Sequence, residues 1–215
     1  MKDLTDKQKN ILEWIYCIIA AIIICILLKY FIGTGTMVQQ KSMMPTLMPE
    51  QRLWINRWPR TIHQIPKRGD IITFESPSTL FIPKEEADLS NPVAKYENDP
   101  QDLWSKFVHY VLEINKVSFI KRVIGLPGDH VKIENGKVYI NDEELKEDYL
   151  PQGLETPTTE GAFIDIVVPE NCVFAMGDNR QNSVDCRRFG CIPLEKIESK
   201  VLFRFWPLNL FGKVV

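Results

Sequence analysis

Histidine is scarce, with three residues, and the five cysteines contain no Cys-x-x-Cys pair. No His, Cys, Asp or Glu set stands at metal-ligand spacing, so neither a metal nor a cofactor is expected. A basic excess is also missing. The net charge of -2 gives no reason to expect nucleic acid as a partner. No internal repeat and no second core are visible. Hydrophobic residues at 45% and charged residues at 25% argue against wholesale disorder. A chain of 215 residues suits one domain plus whatever the N-terminus adds. Cys17 and Cys25 fall in an apolar run, whereas Cys172, Cys186 and Cys191 lie beyond it. Those three cannot all pair within one chain. Whether Cys186 and Cys191 pair is a matter of geometry, which spacing does not show.

What is present first is the apolar run itself, Ile11 to Ile32. Its 22 residues as a helix reach about 33 Å, against roughly 30 Å for a bilayer core. Glu13 and Lys29 stand near opposite ends, and Trp14, Tyr16, Tyr30 and Phe31 suit the two interfaces. The alternative is a cleaved signal peptide. That would have an apolar core of about 7 to 15 residues and a small-x-small site, which Gly33-Thr34-Gly35 imitates poorly. The expected layout is a cytoplasmic N-terminus over 1–10 and a transmembrane anchor over 11–32. An extracytoplasmic domain follows over 33–215, on the outer side of the cell membrane and against its lipid. Lys2, Lys7 and Lys9 precede the span while Lys29 and Lys41 sit at or after its far end, so the charge bias behind this orientation is slight.

Beyond the anchor the pattern is mainly β. Thr36 to Gln40 reads as a strand running into Ser42, which closes on a Pro45-Thr46 turn. Arg52 to Trp58 alternates polar and apolar, and Ile71 to Phe74 follows a Lys67–Asp70 turn. Val117 to Ile124 is a strongly apolar strand. Val131 to Ile133 and Val138 to Ile140 flank Asn135-Gly136, a hairpin signal. Ile164–Val168, Cys172–Met176 and Lys200–Trp206 complete the strands. Glu143 to Gly161 reads as a long exposed loop. Residues 75–115 look like an insertion. Asp99-Pro100 resembles a helix start, and Leu103, Phe107, Tyr110, Val111 and Ile114 recur at helical spacing. This predicts one amphipathic helix packed on the domain rather than a lid or a membrane-facing element.

The chemistry starts from Ser42. A serine is a poor nucleophile until a base takes its proton. His63, His109 and His130 lie in polar or helical settings with no matching acid pattern, and read as surface residues. A neutral lysine is the other option, and burial among apolar groups lowers a lysine pKa. Lys121 sits inside the apolar strand, on the face of Val117, Phe119 and Val123, with Ile120 and Ile124 on the other. The competing reading is an edge-strand lysine that reaches out to water. Arg122 needs a partner, which Asp178 or Asp185 could supply. Ser42 lies ten residues beyond Ile32, so a fully extended link holds it within about 36 Å of the membrane end.

Four motifs now stand in order after an anchor. They are Ser42-Met43-x-Pro45-Thr46-Leu47; Arg68-Gly69-Asp70; Lys121-Arg122-Val123-x-Gly125-Leu126-Pro127-Gly128-Asp129; and Gly177-Asp178-Asn179-Arg180-x-x-Ser183-x-Asp185-x-Arg187. Together they resemble bacterial type I signal peptidase. The resemblance implies a β-rich catalytic domain on a single N-terminal transmembrane helix. It implies a membrane-bound serine endopeptidase that removes signal peptides from exported preproteins with a Ser-Lys dyad. Ser42 would attack, Lys121 would act as base and then acid, and Ser183 would orient Lys121. The Ser42 backbone N–H would bind the oxyanion. Asp178 with Arg122, and Asp185 with Arg187, would be structural ion pairs. Val38, Met43, Leu47, Phe119 and Ile120 match positions that line pockets for the small residues at -1 and -3 of the substrate. Gln40 stands where the family commonly has Gly, Ser or Thr, and Cys186 where serine is common. Other Ser-Lys enzymes, such as self-cleaving repressors, lack the span. A binding module with a dead site would not keep Ser42, Lys121 and Ser183 together.

Overall fold

The computed structural model describes residues 5–97, 100–114, 116–158 and 161–214. Helix α1 spans Asp6–Phe31. It starts ahead of the apolar run because Thr5 and Gln8 form a capping box, with the Thr5 N–H donating to Gln8 Oε1 at 2.9 Å. None of its residues is buried by the rest of the chain. By length and composition it suits a membrane, the solvent in which a helix apolar all round is stable.

The remainder is built from antiparallel sheets. The strands are β1 (Gly33–Met37), β2 (Arg52–Asn56), β3 (Ile71–Glu75), β4 (Ser118–Gly125), β5 (His130–Glu134), β6 (Lys137–Ile140), β7 (Glu143–Glu144), β8 (Asp165–Val167), β9 (Cys172–Met176), β10 (Ile192–Pro193), β11 (Ile197–Trp206) and β12 (Gly212–Lys213). The larger sheet runs β1-β2-β11-β3-β4-β9-β10, with β12 on β11. The smaller runs β7-β6-β5-β8. Glu134 faces Lys137 across a two-residue turn in which Asn135 (φ 51°) and Gly136 (φ 77°) are both left-handed, the geometry that Asn-Gly favours.

The buried apolar residues form two clusters where the sequence reading had one core. The cause is the alternation of β side chains. Ile71 and Ile72 are neighbours in β3 yet belong to different clusters, so the large sheet is covered on both faces. Met43, Leu47 and Val38 cover one face with Leu53, Ile55, Ile71 and Val201. Phe74, Phe119, Val123 and the small sheet close over the other.

Three sequence expectations need correction. The strand before Ser42 ends at Met37, not Gln40. After one further pair of hydrogen bonds, between Val38 and Gln51–Glu50, the chain turns, and Ser42 sits in an irregular turn rather than a strand. The helix of the insertion starts at Leu103, with Asp102 as its cap, whose side chain accepts from the Ser105 N–H at 2.9 Å. It continues as π-helix over Phe107–Leu112. Asp99, the expected cap, lies outside the described residues. None of its side chains is fully buried: Leu103 and Trp104 are 86% and 71% exposed, while Val108 to Leu112 are half-buried and His109 Nε2 lies 3.1 Å from Glu75 Oε1 of β3, so only its later part packs on the rest of the chain. Glu143 to Gly161 is not simply an exposed loop. Thr156 is buried, and Thr156 and Glu147 both accept from the buried Arg180 guanidinium, Thr156 Oγ1 at 2.6 Å. Residues 159–160 of that stretch lie outside the described set.

Candidate active site

The site forms where three segments converge: the turn after β1, the middle of β4, and the loop after β9. Lys121 lies in β4 opposite Ile72 of β3. Phe119 and Val123 on its own face and Ile72 across the ladder are apolar, and a side chain that would normally reach water is 1% exposed. Its Nζ lies 2.7 Å from Ser42 Oγ and 5.2 Å from the centre of the Phe119 ring. Ser42 itself is buried. Burial is the largest influence on Lys121, disfavouring its charged form. Nearby Asp185 works the other way, and the pKa settles at about 8.

The loop after β9 fixes the serine through main-chain contacts. The Asn179 N–H donates to Ser42 O at 3.0 Å, and Asn179 Nδ2 to Lys41 O at 3.0 Å. Gly177 permits this approach. A Cβ there would stand 2.4 Å from Ser42 O and 2.3 Å from Ser183 Oγ, closer than any side chain tolerates. Two buried ion pairs hold the loop. Arg122 grips Asp178 with Nε to Oδ1 at 2.9 Å and Nη2 to Oδ2 at 2.7 Å, so the partner left open in the sequence is Asp178. Thr46 Oγ1 donates to the same carboxylate at 2.6 Å, tying it to the turn of Ser42. Arg187 grips Asp185 with two bonds of 2.9 Å, and Asp185 Oδ2 accepts from the Gly177 N–H at 3.0 Å. Burial works to raise the Asp185 carboxyl, but Arg187 outweighs it and holds the group below its usual range. Arg68 anchors the neighbouring turns, donating to Asp129 at 3.0 Å and to Ile124 O.

Ser183 is placed differently from expectation. Its buried Oγ makes no hydrogen bond to Lys121, and the hydroxyl instead lies close enough to Asp185 to help hold that carboxyl down. Val38, Gln40, Phe119 and Ile120 line a cleft of about 530 Å³ between the β1 side and the start of β4. Met43 and Leu47 do not line it; they are fully buried beneath the serine turn. Gln40 is exposed at the cleft. A larger hollow of about 790 Å³ lies near Pro59–Lys67 and Asn171–Ile197; neither it nor the cleft is lined by Ser42 or Lys121, but the cleft reaches Gln40 and Ile120, their near neighbours in the chain. The five cysteines are free, and Cys186 Sγ accepts from the Ala175 N–H at 3.2 Å. Sequence reasoning missed Thr46, Gly177, Asn179 and Arg180 as parts of the support. Motif membership was their only signal, because hydrogen bonds to the main chain leave no periodicity to read.

A buried lysine with a lowered pKa against a serine hydroxyl is the arrangement of a serine peptidase that uses lysine as its base. Comparison with known proteins gives the particular group. The family described as "Signal peptidase, peptidase S26" matches residues 11–206, and the chain belongs to that family. Signal peptidase I P of Bacillus subtilis subsp. natto is 34% identical, over 96% of this chain and 95% of its own. Signal peptidase I S of Bacillus subtilis (strain 168) is 30% identical, over 97% and 96%. The crystal structure of a signal peptidase I from Enterococcus faecalis V583 is 26% identical, with a TM-score of 0.40, covering 63% of this chain and 95% of that one.

Proposed function

We propose that Ser42 and Lys121 are the dyad with which this signal peptidase cuts signal peptides from exported preproteins. The observation that carries the assignment is the 2.7 Å contact between Lys121 Nζ and Ser42 Oγ at a buried position. Neutral Lys121 takes the Oγ proton as Ser42 attacks the scissile carbonyl, then returns it to the leaving amine. The Ser42 N–H, with Gln40 nearby, receives the developing oxyanion. The Arg122–Asp178 and Arg187–Asp185 pairs hold the loop that fixes the serine, and Ser183 of that loop is the residue that would turn to orient Lys121 during turnover. The substrate lies as an extended strand in the cleft, with Val38, Phe119 and Ile120 walling pockets that admit only small residues at -1 and -3. Met43 and Leu47 shape those walls from beneath. Residues 11–32 anchor the chain in the cell membrane against lipid, with 1–10 inside and the catalytic domain from 33 onward outside.

In detergent, Ser42→Ala is expected to leave a preprotein uncut while wild type releases a product whose N-terminal sequence starts after a small residue. Cleavage by Ser42→Ala would remove Ser42 from the role. The pH profile supplies a second check. The base acts only when neutral, so kcat/KM should rise about tenfold per pH unit below about 8 and level off above it. A limb near the ordinary lysine value of 10.5 would contradict the buried base.

A further inference from the structure

The insertion between β3 and β4 received no role from the motifs, yet its last described turn reaches the anchor. Glu113 ends the π-helix in the left-handed region (φ 58°, ψ 36°). One carboxylate oxygen pairs with Lys29 Nζ of α1 at 2.9 Å, and the other with buried Arg57 at the end of β2. The Arg57 N–H donates to Ile32 O at 2.9 Å. Arg60 Nη2 donates to Tyr30 O at 2.9 Å, with its guanidinium carbon 4.6 Å from the Tyr30 ring centre. The last carbonyls of a helix have no partner within it and favour cations. Here they are satisfied by two arginines of the catalytic domain, one of which Glu113 ties in turn to α1. Burial opposes the charge on Glu113, but Lys29 and Arg57 hold its carboxyl below the usual range.

A joint of this kind does more than a tether. β1 begins at Gly33, directly after α1, and is paired with β2, so the freedom left to the domain is rotation about the joint at Ile32, which would swing Ser42 relative to the membrane. A signal peptide meets the enzyme with its apolar core in the bilayer, so its scissile bond sits at a set height. We propose that Glu113 is a positioning residue, which locks the catalytic domain to α1 so that Ser42 faces membrane-borne substrates at the correct height and direction. This rests on the signal peptidase reading above.

The test uses the full chain in phosphatidylcholine–phosphatidylglycerol vesicles with a co-reconstituted preprotein, and in detergent with a short soluble peptide spanning only the cleavage site. Glu113→Gln breaks the joint from the domain side, and Arg60→Gln breaks it away from the cleft. Preprotein cleavage in vesicles should fall about ten- to hundredfold in both variants. Peptide kcat/KM should stay within about twofold of wild type for Arg60→Gln, the control away from the cleft that Glu113 helps to line. A preprotein lengthened or shortened by a few residues between its apolar core and cleavage site should regain part of the lost rate. Equal losses on peptide and preprotein, or no loss on either, would overturn the proposal. Failure of the wild-type chain to cut either substrate would instead overturn the reading beneath it.

Discussion

Lys121→Met should remove about 10⁴-fold or more of kcat while making the fold more stable at neutral pH. The first effect follows from loss of the base, since single members of a nucleophile–base pair cost about as much as the whole unit. The second follows from linkage. The folded-state pKa of Lys121, about 8, lies below the ordinary 10.5. The unfolded chain therefore binds more protons between those values, and stability rises with pH across that window. Below about 8 the whole cost of burying the charge is present. It amounts to something on the order of 3 kcal/mol, of which roughly 1 returns as the unpaired Ser42 hydroxyl. Met fills the space without the charge, so thermal unfolding should show a higher midpoint at pH 7 and little difference above pH 11. Retained activity would take Lys121 out of the mechanism. A lowered midpoint at pH 7 would show that the lysine supports the fold rather than strains it.

Asp178→Ala should destabilise the domain by about 3–5 kcal/mol, because it strands Arg122 as a buried charge. It also removes the acceptor of Thr46 and slackens the turn carrying Ser42. Denaturant unfolding measures the first consequence and kcat the second. A double replacement, Arg122→Met with Asp178→Leu, should recover most of the stability, since two apolar groups leave no orphan charge. If the single variant unfolds like wild type, the pair is solvated and the ascribed role is wrong.

Much of this was legible before any coordinates. Lys121 stood out because a charge within Phe119-Ile120-x-Arg122-Val123 has few outlets in a half-buried strand. The hairpin at Asn135-Gly136 and the strand over Ile71–Phe74 followed from period and turn chemistry alone. The N-terminal helix was equally plain from its apolar length. What failed to show was anything decided by the main chain at a distance. Asn179 acts through Ser42 O and Lys41 O, and Gly177 through the space it leaves, so neither has a local pattern. Arg180 looked like loop polarity, yet Glu147 and Thr156 bury it across more than twenty residues of separation. The helix of the insertion misled in part: Tyr110 and Val111 are half-buried as the spacing suggests, but Leu103 and Trp104 face outward.

The position of β1 at the end of its sheet has one more consequence. It pairs only with β2, and β4 meets β9 only from Arg122 onward, so Ser118 to Ile120 keep one side off the ladder among the described residues. The cleft lies between these two rims. A guest chain seated there is recognised mostly through its amides and carbonyls, which every amino acid shares. Such a reader is nearly blind to text and sensitive to spacing. Such breadth suits the signal peptides that are the family's substrates.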